Sequence, residues 1–225
     1  MKKLAFIILM SSLIAIGCSD EKAADSINAA PSDSAGTANE TSVAKDKSET
    51  AWVPVDSATE MKAWMEYATP GEAHKKMAKT TGTWVGETTS WMGNGAPPTK
   101  SKSTMINKMI LDGRYQLSTF KGDMMGMSFE GMSIGGYDNH QKKYFTTWID
   151  NMGTGFLKME GTLDESSNKI NYTGKMVNPA NGIECNMREV YTMIDDNNGL
   201  MELYGPDSKT GKEYKTMEIK LSRKK

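Results

Sequence analysis

The sequence predicts an all-β protein: about ten antiparallel strands in a closed or strongly curled barrel, led in by one or two short helices. Three observations predict it. From Thr83 onward the chain is a succession of short runs in which apolar and polar residues alternate, the period of a half-buried strand. Turn signals separate most of the runs: Asp112-Gly113, Tyr137-Asp138-Asn139, Asp164 to Asn168, Asn178 to Gly182, Asp195 to Gly199 and Gly205 to Gly211. The connections leave no room for crossover helices, so neighbouring strands run antiparallel. A sheet of that size exposes two edges unless it closes.

The elements follow in chain order. Residues 1–17 read as a signal peptide: Lys2 and Lys3 form a positive start, Leu4 to Ile16 is mostly apolar, and small or aliphatic residues lead to Cys18. Cysteine directly after Gly17 resembles the bacterial lipoprotein signal, in which cleavage precedes the cysteine and the new terminus is acylated. Ala15 departs from that pattern, where leucine is commoner. The resemblance implies a lipid anchor at Cys18, with two or more acyl chains giving stable membrane attachment. Ser19 resembles an outer-membrane sorting residue, and Ser19-Asp20-Glu21 resembles a short acidic surface-export signal. The expected location is therefore the bacterial cell envelope, lipid-anchored at the outer membrane.

Residues 18–50 read as the lipidated cysteine and a disordered tether. They have no aromatic residue and only two branched aliphatics, Ile27 and Val43, too little apolar surface to offset ordering entropy. Without residues 1–17 the chain carries 25 basic and 28 acidic residues, a formal charge of −3. That is no footprint for nucleic acid, which needs a basic patch. With Cys18 acylated, Cys185 has no intrachain partner. It reads as a small hydrophobe rather than a nucleophile.

Residues 51–82 read as a helical lead-in and 83–225 as the barrel. In DSATEMKAWMEYA, Met61, Trp64, Met65 and Ala68 recur at helical spacing. In TPGEAHKKMAKTTG, Thr69 is the expected cap, with Pro70 first and Glu72 third, as in a capping box. His74 shares a face with Met77 and Ala78. The ten strand runs begin at TWVGETTSWM and end at EYKTMEIKLS. Gly86, Gly126, Gly131, Gly161 and Gly174 suit bends and close backbone approach. The runs lack the long apolar outer face of a membrane barrel.

In KYFTTWID (143–150), Tyr144, Thr146, Trp148 and Asp150 share one face, which mixes aromatic, hydroxyl and carboxylate groups. That composition fits the wall of a semi-polar cavity better than a dry core. Trp84, Trp91 and Trp148 are expected in the core or the cavity wall. The chain has only three arginines against 24 lysines, so each is a candidate for bidentate work. An inward Arg114 needs a carboxylate such as Glu130, Asp150 or Glu202, or an anionic ligand. Otherwise it forms an ion pair at the rim. Nineteen methionines, four of them near MMGMSFEGM, fit either adaptable filler or, less simply, soft-metal ligands.

The segments GTWVGETTSWMGNGAPP (82–98), LDGRY (111–115), FEGMSIGGYDNHQKKYFTTWID (129–150) and GTLD (161–164) together resemble the uncharacterised bacterial family called domain of unknown function 1579, over roughly residues 60–223. The resemblance implies a lipocalin-like barrel, often secreted or membrane-tethered, and no established activity. Some related small barrels bind haem through a histidine. Here only His74, on a helix, and His140, in a turn, are on offer, and no haem or other cofactor is expected.

The sequence carries no H-E-x-x-H, G-x-S-x-G, C-x-x-C or phosphate-loop pattern. DDNNG (195–199) lacks the spacing of a calcium loop and reads as a turn. No catalytic or metal-ligating residue is assigned. The expected function is binding of a small apolar or amphipathic molecule, with Trp84, Trp91, Arg114, Glu130, Tyr144, Trp148, Asp150 and Glu202 as the candidate ligand-binding residues. One rival is a structural or protein-interaction module with a filled interior. Another is an enzyme using two of Glu130, Asp150, Glu189 and Glu202.

Overall fold

The alternating pattern does close on itself. A computed structural model describes residues 52–124 and 126–225. The signal peptide, Cys18 and the tether lie outside the described residues. Two helices, α1 (Ser57–Ala68) and α2 (Glu72–Lys79), precede ten strands. These are β1 (Gly82–Ser90), β2 (Thr99–Ile110), β3 (Tyr115–Met124), β4 (Met127–Asp138), β5 (Lys143–Asp150), β6 (Leu157–Asp164), β7 (Lys169–Val177), β8 (Glu184–Asp195), β9 (Asn198–Pro206) and β10 (Glu213–Arg223). Each strand pairs antiparallel with the next, and β1 pairs with β10 from Trp84↔Arg223 to Ser90↔Met217. Closure leaves no edge strand to protect.

Inward positions alternate with outward ones, so one face of each strand makes the interior. Near β1 the core is Trp84, Met105, Phe120, Ile219 and Leu221; on the other side it is Tyr144, Met159, Ile170 and Tyr172. Gly161 permits the close approach of β6 to β7: a Cβ there would lie 2.2 Å from the Asn171 carbonyl oxygen. Any side chain at Gly161 would force these strands apart.

Two helix details differ from expectation. α2 starts after Gly71 rather than after Thr69, and the reciprocal capping bond is made by His74, whose Nδ1 accepts from the Gly71 N–H at 3.0 Å. His74 is buried and meets the Tyr137 ring edge-on at 6.0 Å. Burial holds its pKa below the ordinary value, favouring the neutral acceptor form. α1 begins at a well-made cap, with Asp56 accepting from the Ala58 and Thr59 amides. Its apolar stripe, however, does not enter the core: Met61, Trp64 and Met65 are all exposed. α1 is held by its C-terminal backbone instead. Asn139, in the turn after β4, donates to the carbonyls of Tyr67 and Thr69, and Arg114 Nε donates to that of Ala68.

α2 covers one end of the barrel. A helix ends with carbonyls that have no partner of their own, and here the barrel supplies the donors. The Trp84 indole donates to the Thr80 carbonyl at 2.8 Å and Asn107 Nδ2 donates to the same oxygen at 3.2 Å. Gln116 Nε2 donates to the Met77 carbonyl and the Thr80 hydroxyl, and Arg223 donates to the carbonyls of Lys79 and Thr81. The Arg223 guanidinium also lies 4.3 Å from the centre of the Trp84 ring. Replacing Arg223 with methionine removes three charge-assisted bonds, two to the end of α2 and one to the Asp196 carbonyl, while keeping the aliphatic stem. We expect a loss of about 2 kcal/mol in denaturant unfolding and faster amide exchange in α2 than in the strands. Unchanged exchange in α2 would contradict its being held this way.

Candidate functional site

Between the sealed end and the opposite loops the interior is not filled. A cavity of about 340 Å³ runs along the barrel axis, at the lower end of the range for small-molecule sites. Its floor is Thr80, Asn107 and Gln116 under α2, and its lining reaches Asp123, Met124 and Met152 at the other end. Among the described residues no helix covers that end, so the mouth lies there. Exposed apolar side chains stand around it: Met127, Met152, Phe156, Val177 and Ile183.

The two halves of the wall differ. β2 to β5 contribute hydroxyls, with Ser101, Ser103, Ser118, Ser133 and Thr146 in the lining; Ser133 and Thr146 satisfy each other at 2.9 Å. β6 to β10 are mostly apolar, with Leu157, Met159, Ile170, Leu203 and Ile219. Eight of the lining residues are methionines, from Met77 on α2 to Met217 on β10. Unbranched thioether chains adapt to a guest better than branched ones do. The soft-metal alternative loses its geometry. Met124 lines the cavity while Met127 and Met132 are exposed on the surface, and Met125 lies outside the described residues.

Tyr144, Trp148 and Asp150 all line the cavity, as the pattern in KYFTTWID predicts. Trp148 is the centre of the upper wall. Phe120 meets it edge-on at 5.0 Å, Phe129 stacks on it at 6.2 Å, and its indole donates to Asp150 Oδ2 at 2.6 Å. Gly131 makes room for that ring: a Cβ there would lie 2.5 Å from it. The other five candidates do not line the cavity. Trp84 is buried beneath it, bound to the Thr80 carbonyl. Trp91 follows the end of β1 near Lys215, and its carbonyl accepts from the Tyr214 hydroxyl. Arg114 stays in the β2–β3 turn, beside Asp112, donating to the carbonyls of Ala68 and Leu111.

Glu130 and Glu202 point outward, since their neighbours Phe129 and Leu203 point in. Glu130 pairs with Lys121 at 2.9 Å and Glu202 with Lys215 at 2.9 Å, an ion pair that lowers the Glu202 pKa. Cys185 is half-buried and donates to the Met176 carbonyl. Neither histidine lines the cavity, and His140 is exposed in its turn.

The group that sequence reasoning weighed only as one of four carboxylates is the notable one. Glu189 is in phase with Tyr191 and Met193, which place it on the inner face of β8. It pairs across the strands with Tyr172 of β7 and Leu203 of β9. Burial alone pushes its pKa up to about 7. The paired-carboxylate arrangement of a hydrolytic enzyme is not formed. Glu130 and Glu202 are outside, and Asp150 lies six residues along β5 from Tyr144, which shares the row of Glu189 through Gly161 and Tyr172. That offset is roughly 20 Å of strand.

The family model described as "Protein of unknown function (DUF1579)" matches residues 69–223, and the chain belongs to that family. No curated protein matches the sequence. Among solved structures, the crystal structure of Rv2717c from M. tuberculosis is similar, with a TM-score of 0.51 at 10% identity, covering 70% of this chain and 100% of that one. A likeness at that identity concerns the fold alone.

A carboxyl whose folded pKa lies above its unfolded one costs nothing at low pH, where both states hold the proton. The cost grows as pH rises through the folded value. From about 7 against an ordinary 4.5, the penalty above pH 7 is of the order of 3 kcal/mol. We expect Glu189→Gln to match the wild type in stability at about pH 4, below the ordinary value, and to exceed it at about pH 8. Equal stability at both values would place Glu189 in water rather than in the wall.

Proposed function

We propose that this family member is a lipid-anchored barrel of the bacterial cell envelope that holds a small apolar or amphipathic molecule in its interior. The observation that carries the binding reading is the unfilled cavity, blind at the α2 end and lined by methionine and aromatic side chains. A barrel serving only as a scaffold gains by filling such a space, because empty volume costs stability. The apolar rim at the mouth supports the same reading, since an apolar guest leaves a membrane or a carrier most readily through an apolar gateway. The anchoring half rests on sequence: the signal ending at Cys18 and the tether after it.

Two measurements test these halves separately. A neutral apolar fluorophore, N-phenyl-1-naphthylamine, should brighten on mixing with the protein. Ser118→Phe places a ring into the cavity and should weaken the binding about tenfold or more, with the fold kept because the ring enters empty space. Undiminished binding to that variant would move the site out of the barrel. Cys18→Ala should abolish labelling by a radioactive fatty acid in cells and release the protein from the membrane fraction. Labelling that persists would remove Cys18 as the anchor.

A further inference from the structure

The binding reading leaves the polar end of the guest unassigned, and the inward-facing charges of the barrel constrain it. The ionisable side chains that line the cavity, apart from tyrosines, are Lys76, Asp123, Asp150 and Glu189. Lys76 sends its ammonium to Glu165 on the rim. Asp123 accepts from the Gly126 amide in the β3–β4 turn, and Asp150 accepts from the Trp148 indole and the Met152 amide. Only Glu189 has, among the described residues, neither a hydrogen bond to its carboxyl nor a cation within pairing distance. None of the three arginines reaches it: Arg114 serves α1, Arg188 pairs with Glu213 on the outer wall, and Arg223 seals α2.

Around Glu189 stand phenols rather than cations. Tyr172 faces it from β7, Tyr191 follows on β8, and Tyr144 lies in the same row on β5. Leu203 is its neighbour on β9. Tyr144 and Tyr191 are pushed up to about 12 and Tyr172 higher still, chiefly by burial, so all three keep their protons over the working range of pH. A second observation is independent of Glu189. Asn107 on the floor is 5% exposed and its Oδ1 has no partner. Its orientation is fixed, because Nδ2 donates to the Thr80 carbonyl. A buried amide oxygen and a carboxyl open only partly, in the cavity wall, thus stand in one cavity as acceptors without donors, and acceptors in an apolar space are costly unless something donates to them.

Resting on the binding reading, we propose that the cavity selects apolar amines. An alkyl or aryl body lies against the methionine and leucine wall, and a protonated amine sits at Glu189 among Tyr144, Tyr172 and Tyr191. An ammonium group supplies the missing cation and donors, and phenol rings attract it through their faces. A carboxylate or phosphate guest would meet three carboxyl groups and no free cation, so fatty acids are disfavoured.

The test uses three guests with one chain and different heads: dodecylamine, dodecanol and dodecanoate. Each displaces N-phenyl-1-naphthylamine from the wild-type protein at pH 8. We expect dodecylamine to act at a concentration at least about tenfold below dodecanoate, with dodecanol between them. Glu189→Gln should erase the advantage of the amine over the alcohol and leave the alcohol unchanged. For the wild type that advantage should also shrink from pH 8 to pH 5, as Glu189 gains a proton while the amine keeps its own. Dodecanoate equal to or better than the amine would overturn the proposal, as would an amine advantage that survives Glu189→Gln. If the alcohol and the neutral fluorophore bind and only the head-group order fails, the amine assignment falls and the binding reading stands. If neither the fluorophore nor any of the three guests binds, both fall.

Discussion

The seal between the last turn of α2 and the barrel is the constraint on which the rest depends. A helix end with bare carbonyls and a barrel end with inward polar side chains are each costly alone. Trp84, Asn107, Gln116 and Arg223 join them, so each satisfies the other. Without this seal a ten-stranded barrel would be a tube open at both ends, wet throughout. With it, the interior becomes a blind pocket with one mouth, where a carboxyl can be held away from bulk water. The elevated pKa of Glu189 and the partnerless oxygen of Asn107 both follow from that sealing.

The family's signature residues are explained by architecture rather than by chemistry. In Phe129-Glu130-Gly131, the phenylalanine stacks on Trp148, the glycine admits its ring, and the glutamate goes outside to Lys121. Trp148 and Asp150 complete the unit through the indole bond. Arg114 of LDGRY and Asn139, from the same long segment as Trp148, tie down the end of α1. Glu189 lies in none of the motif segments. The pattern that identifies the family thus describes how the barrel is built, while the group with the most distinctive electrostatics stands apart from it.

That division explains what was legible in the sequence. All ten strands were, because period-two alternation and turn residues are local signals. The cavity face of β5 was legible for the same reason. Glu130 and Glu202 were misplaced although their own neighbours, Phe129 and Leu203, argued the outward phase. Applying the same phase to Tyr191 and Met193 would have singled out Glu189. Arg114 was beyond such reasoning, since a residue in a turn has no phase and its direction is set by the distant carbonyl of Ala68. The stripe of α1 failed for a related reason: amphipathic spacing says which residues share a face, not whether anything packs against it. The late start of α2 was hidden because His74 closes the capping bond in a role expected of Glu72.

The barrel is hollow, closed at the α2 end and lined by methionine and aromatic side chains, with an unpaired carboxyl, Glu189, in its wall. Whether that space holds a guest is tested most directly by native mass spectrometry of the protein extracted gently from its own cells. The account predicts a principal species heavier than the protein alone by the mass of one small molecule, released on unfolding and apolar in character. Only the mass of the protein alone, from every extraction that keeps the fold intact, would contradict it.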